Sequence, residues 1–102
     1  MTPKKIITFL VVLLSALSSF GQEKFTLSGT IIDANSNETL IGVNVVIPEL
    51  KTGVTTNEYG FYSITIPKGN YTIQISYLGY LTISESISLN QNIKNNFNLF
   101  SN

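Results

Sequence analysis

The chain has 102 residues, with six lysines against six acidic residues, no histidine and no cysteine. That length leaves room for one domain, and the absence of thiols excludes a disulfide framework. There is no arginine and no cluster of lysines, so nucleic acid is excluded as a partner, because phosphate contacts need grouped cations.

The first predicted element is a leader. Met1-Thr-Pro-Lys4-Lys5 is a short basic start, residues 6–14 are almost wholly apolar, and residues 15–21 are mostly small. Ser19 and Gly21 stand at the −3 and −1 positions of a cleavage before Gln22. The three-part pattern predicts a secretory signal peptide over residues 1–21. A retained membrane anchor competes with it, but the apolar run is shorter than the about 18–20 residues a bilayer span requires. No cysteine stands at the cleavage site to carry a lipid. The mature domain is expected to cover residues 22–102, with four lysines and six acids. A chain that small can bury only about 60–65% of its surface, so sheet packing has to be efficient.

From Phe25 onward apolar residues alternate, and β-branched and aromatic side chains dominate. Residues 25–33 predict a strand with Phe25, Leu27, Gly29 and Ile31 on one face. Gly29 there marks a bulge or the close approach of another strand. A polar loop follows over residues 34–39. Residues 40–47 predict a second strand with Ile41, Val43, Val45 and Ile47 on one side, ended by Pro48.

Gly53-Val-Thr-Thr-Asn-Glu-Tyr-Gly60-Phe61-Tyr62 reads as a hinge between two strands. Residues 54–56 are a very short strand, and Gly60 is expected at positive φ. Asn57 is expected to bond its own backbone two residues on. Residues 61–66 place Tyr62, Ile64 and Ile66 inward. Pro67-Lys-Gly-Asn70 reads as a tight turn between antiparallel neighbours. Residues 71–77 alternate without a fault and predict a central strand. Residues 81–89 form another, in which Glu85 interrupts the apolar face and suggests an edge or a bulge. Residues 93–99 alternate to the end. Seven short strands joined by Gly, Pro and Asn turns predict an all-β, two-sheet antiparallel sandwich with no helix after cleavage.

Gly29-Thr-Ile-Ile-Asp33, Leu40-Ile-Gly-Val-Asn-Val-Val-Ile47, the hinge, and Gly69-Asn-Tyr-Thr-Ile-Gln-Ile-Ser-Tyr-Leu-Gly-Tyr80 occur in an order that resembles carboxypeptidase-regulatory-like domains. The resemblance covers about residues 25–89. It implies a transthyretin-like sandwich, similar to the domain that precedes the plug and barrel of SusC-type TonB-dependent outer-membrane receptors. Asn57 stands where that family often has Asp. The resemblance implies a module and its export route; it does not transfer transport to a chain without a barrel.

Without histidine or cysteine the usual bases, nucleophiles and transition-metal ligands are missing, so neither an enzyme nor a cofactor or metal site is expected. Asp33-Ala-Asn35-Ser-Asn37-Glu38 offers alternating oxygens as a calcium loop does, but lacks its glycine and its terminal glutamate. An Asx turn is the preferred reading. Asn37-Glu-Thr39 and Asn70-Tyr-Thr72 are read as chance matches to a glycosylation sequon. Alternation makes Tyr62 and Tyr77 core and leaves Tyr59, Phe61 and Tyr80 as a candidate platform for sugar rings. Strand addition at residues 81–89 or 93–99 is a third possibility. The expected protein is therefore an exported, non-catalytic binding module, periplasmic or outer-membrane associated. Its partner would be an envelope protein or receptor component, or alternatively a glycan, or it would be a structural envelope domain. Candidate contacts are Asn57, Glu58, Tyr59, Phe61 and Tyr80, on loops around residues 35–38, 57–59 and 78–80.

Overall fold

The computed structural model describes residues 22–102, so the predicted signal peptide lies outside the described residues. Eight strands follow in order: β1 (Lys24–Asp33), β2 (Asn44–Ile47), β3 (Thr52–Thr55), β4 (Phe61–Pro67), β5 (Gly69–Ser76), β6 (Ile83–Leu89), β7 (Ile93–Lys94) and β8 (Phe97–Leu99). They form two four-stranded sheets. In one, β1 pairs antiparallel with β4 on one side and parallel with β7 and β8 on the other. The second has the order β3-β2-β5-β6 and is antiparallel throughout.

The two sheets bury their facing side chains together. Leu27 and Ile31 of β1, Val45 and Ile47 of β2, Tyr62, Ile64 and Ile66 of β4, Ile73 and Ile75 of β5, and Phe97 and Leu99 of β8 are all buried. These are the inward positions that strict alternation predicts. Tyr62 reaches across the interior: its hydroxyl donates to the carbonyl of Asn95 at 2.6 Å and its ring lies 6.4 Å from that of Phe97. Burial holds its phenolic proton well above the usual range, with the carboxylate of Glu85 adding to the effect.

Four expectations need correction. The seven antiparallel strands are eight, two of them parallel to β1, because residues 93–99 do not form one strand. The interruption falls at Asn95-Asn96, where the backbone of Asn95 crosses directly over Gly29, and a Cβ on Gly29 would collide with the Asn95 carbonyl. The ladder is completed there by side chains: Thr26 N–H donates to Asn92 Oδ1 at 2.9 Å and Thr30 N–H to Asn96 Oδ1 at 2.8 Å. Pro67-Lys-Gly-Asn70 is no hairpin, since β4 and β5 lie in different sheets and Lys68 alone crosses between them. Residues 40–42 precede β2 as a turn with Gly42 at φ 82°, which leaves Ile41 exposed. A short 3-10 turn, Pro48–Leu50, stands where no helix was expected. It brings the Glu49 carboxylate to the Thr72 N–H, at 2.9 and 3.0 Å, just where β2 has run out and Pro48 begins.

Three other expectations hold. β5 is an interior strand, β6 lies at an edge with Glu85 exposed and no bulge in its register, and Gly60 takes φ 73°.

Candidate functional site

Strand β1 ends at Asp33, and the loops of both sheets gather at that end. Residues 34–43 leave β1 there, residues 56–60 join β3 to β4, residues 77–82 join β5 to β6, and residues 100–102 follow β8. The first two loops are fixed by polar side chains acting on backbone, and the last two by backbone bonds to each other and by the Tyr80 hydroxyl on Asp33, so the end is built rather than slack.

Asp33 organises the first loop. Its Oδ1 accepts the N–H groups of Asn35 at 2.8 Å and Ser36 at 2.9 Å, and its backbone carbonyl accepts Asn37 N–H at 2.9 Å. Asn37 sits at φ 61°, as Asx-rich turns allow. The other carboxylate oxygen accepts the Tyr80 hydroxyl at 2.7 Å, which ties this loop to residues 77–82. That bond, with the two backbone N–H groups, holds the Asp33 carboxyl down at about 2. The same bond raises the Tyr80 phenol. The Asx reading of residues 33–38 is thus the one the geometry takes.

Asn57 organises the second loop as its sequence predicts. Its Oδ1 accepts Tyr59 N–H at 2.9 Å and Phe61 N–H at 3.1 Å, while its own N–H donates to the Phe61 carbonyl at 3.0 Å. Gly60 is needed because a Cβ would press on the Ile31 carbonyl and on Thr39. Buried Thr56 donates its hydroxyl to the Leu40 carbonyl and accepts Val43 N–H at 2.9 Å, which locks the first loop to the second. In the third loop the rings of Tyr77 and Tyr80 lie 5.6 Å apart, and Leu81 N–H donates to the Phe100 carbonyl at 2.8 Å.

Of the five predicted contacts, Glu58, Tyr59 and Phe61 are exposed, with Tyr59 at 70%. Asn57 is exposed too, but its side-chain oxygen is occupied by the turn it builds. Tyr80 is half-buried and held by Asp33. Among the described residues neither ring–ring contact involves Tyr59 or Phe61, so the three aromatics share an end of the sandwich without stacking as one platform.

Alternation alone does not reveal the apolar residues that accompany them. Ile41, Leu78, Leu81 and Phe100 are exposed at the same end, and Leu78 at 96% projects almost completely into solvent. An apolar residue beside a turn glycine, as in Ile41-Gly42 and Leu78-Gly79, was the available signal. Grouped apolar exposure of this kind marks interaction surfaces more often than it decorates an inert one. No cluster of metal-ligating side chains occurs among the described residues.

Residues 27–102 match the family model of the CarboxypepD_reg-like domain. The chain is 32% identical over 89 residues to a TonB-dependent receptor, P3, of Formosa agariphila; the match takes in 87% of this chain and 9% of that receptor. The chain thus spans about a tenth of the relative's length. Among solved structures, the fold is similar to a chain of a type II cohesin–X–dockerin complex from Acetivibrio cellulolyticus. The TM-score is 0.61 at 23% identity, over 72% of this chain and 52% of that one. It is also similar to the TIE protein of Bacillus anthracis, with a TM-score of 0.56 at 17% identity, over 76% of this chain and 16% of that one. At those identities the structural likeness concerns the fold alone.

Proposed function

Because this chain belongs to the CarboxypepD_reg-like domain family, we propose that it is an exported, non-catalytic interaction module of the bacterial envelope. It acts on the periplasmic side of the outer membrane, as the accessory domain of a TonB-dependent nutrient receptor does. The observation that carries this reading is the match of nearly the whole domain to a small part of such a receptor. The site supports it in kind: braced loops present Tyr59, Leu78 and Leu81 outward, and the first residue of β4 presents Phe61, the combination of rigid scaffold and apolar contact residues that protein recognition uses. Protein is preferred to glycan as the partner because Tyr59, Phe61 and Tyr80 do not make a common stacking face.

The test places a photo-crosslinking amino acid at Tyr59 or at Leu78 in cells of the source organism and fractionates the envelope. Adducts to an outer-membrane or periplasmic protein are expected at both positions, in a fraction that an antibody to residues 22–102 also detects. A domain found only in the cytosol, or one that crosslinks to nothing and instead shifts with oligosaccharide at Tyr59 and Phe61, overturns the reading.

A further inference from the structure

Each sheet has open edges, and the fold treats them differently. In an antiparallel ladder residues alternate between bonding one neighbour and the other. Just before β2, Thr56 N–H donates to the Val43 carbonyl in the register that continues as Val45↔Val54 and Ile47↔Thr52, so odd residues of β2 face β3 and even ones face β5. Thr72 N–H, on the β2 side of β5, meets Glu49 and agrees with this phase. The odd residues of β5 therefore bond β6 through Ile83, Glu85, Ile87 and Leu89. Ser84, Ser86 and Ser88 are left with their backbone N–H and C=O groups directed away from the sheet.

The other edges are shorter or closed. At one end of β4 the Phe61 N–H is covered by Asn57; at the other, Pro67 has no N–H and its carbonyl accepts the Tyr71 hydroxyl at 2.7 Å. Strand β3 has four residues, and β7 and β8 are separated by Asn95-Asn96. Among the described residues, only β6 offers three successive outward residues with no proline, no bulge and no lysine. Its single charge, Glu85, stands on the inward face between half-buried Ile83 and Ile87.

We propose that the β6 edge receives an extended segment of a partner protein as a fifth strand, with a lysine or arginine paired to Glu85. Main-chain bonds to Ser84, Ser86 and Ser88 would supply affinity, and the inward face would supply selectivity. On that face the incoming strand needs a cation beside Glu85 and apolar, preferably β-branched, residues two positions to either side, beside Ile83 and Ile87. On the outer face it meets only serine side chains, which ask for nothing large. A second copy of this chain is the poorer occupant: antiparallel pairing of two β6 strands about Ser86 sets the two Glu85 carboxylates diagonally on one face. This assignment rests on the reading of the domain as an interaction module and names a surface apart from its loop end.

The probe is a synthetic peptide of alternating threonine and valine with one central lysine in the valine series, and a control carrying glutamate there. Amide exchange on the isotope-labelled protein is expected to slow at Ser84, Ser86 and Ser88 with the lysine peptide. Ser86→Pro removes an outward N–H and no ladder bond, a position where an edge strand tolerates proline; it is expected to weaken binding by about tenfold or more. Glu85→Lys keeps the edge and is expected to weaken the lysine peptide by up to about fivefold while favouring the control. Unchanged exchange at the three serines, or wild-type binding by Ser86→Pro, overturns the proposal. So does a concentration-dependent dimer that Ser86→Pro abolishes, which would put a second copy on the edge. If crosslinks from Tyr59 and Leu78 persist while the peptide test fails, the edge assignment falls alone; if they vanish as well, the module reading falls with it.

Discussion

Gly29 shows what one residue decides in this domain. It stands at an inward position of β1, where alternation would ask for a large side chain, and its missing Cβ is the space that the Asn95 carbonyl fills. Gly29→Ala is therefore expected to destabilise by about 1–3 kcal/mol, as overpacking of a filled interior does, read as a lower urea midpoint at unchanged slope. The Tyr62 hydroxyl serves the same crossing, and Tyr62→Phe, which leaves the Asn95 carbonyl without that donor, is expected to cost about 1 kcal/mol. Asp33 carries a pH dependence. Its carboxyl lies at about 2 against an ordinary 3.8, first because Tyr80 donates to it and then because of the Ser36 and Asn35 amides. A depressed carboxyl contributes stability that is fully present above its unfolded value and fades as pH falls through its folded one. The melting temperature should thus drop between about pH 4 and pH 2, and Tyr80→Phe should flatten that drop more than loss of any one of the amide bonds. Gly60 and Asn57 were legible in the sequence because each effect is local, whereas Gly29 announces a close approach without naming Asn95 as what approaches. The Asp33–Tyr80 bond spans 47 positions and has no local signature.

At the scale of elements, the sequence disclosed strands more reliably than their neighbours. The inward faces of β1, β4 and β5 follow from alternation alone, and the exposed Glu85 marked β6 as an edge. Pro67-Lys-Gly-Asn70 has the residues of a hairpin turn, but turn chemistry fixes only a reversal of direction. Which sheet the next strand joins is decided by burial, and the inward faces of β4 and β5 are satisfied from opposite sheets in one common core. Residues 93–99 alternate correctly, yet no pattern within them says that Asn95 must meet a glycine or that Asn92 and Asn96 must replace ladder acceptors. The candidate contacts were legible in part for the same reason: Tyr59 and Phe61 flank a readable turn, whereas Ile41 and Leu81 looked like strand interior until their turns were seen. Glu49 tests how far a side chain can stand in for a strand. In Glu49→Ala the Thr72 amide loses its acceptor and is expected to exchange with solvent faster than Gln74, whose N–H remains in the β2 ladder.

For the molecule as a whole, the decisive arrangement is that the last strand closes on the first. Strand β8 pairs with β1 through Ile31↔Phe97, Ile32↔Asn98 and Asp33↔Leu99, and it buries Phe97 and Leu99 in the common core. A domain of this size has only about 5–15 kcal/mol of net stability and no disulfide to supplement it. Deleting residues 96–102 removes both core side chains, a loss of about 3–5 kcal/mol for a phenylalanine and about 2–5 kcal/mol for a leucine when judged by truncation to alanine. It also strips the β8 part of the parallel ladder from β1, the Asn96 acceptor from Thr30, and the bonds that residues 100–102 make to Gly79 and Leu81. These losses are of the same order as the stability of the domain, so the truncated chain is expected to lose its dispersed amide spectrum and its cooperative melting transition together. Deleting residues 100–102 alone leaves the core in place. In that variant the Leu81 amide should exchange faster while the Ile75 amide, within the ladder, keeps its protection. The contrast separates the two jobs of the C-terminal segment: residues 97–99 complete the sandwich, and residues 100–102 brace the loop that presents Leu78. A truncation to residue 95 that still melts cooperatively would show that β1 needs no more than β7 on its second side, and would shift the burden of stability onto β4 and the second sheet.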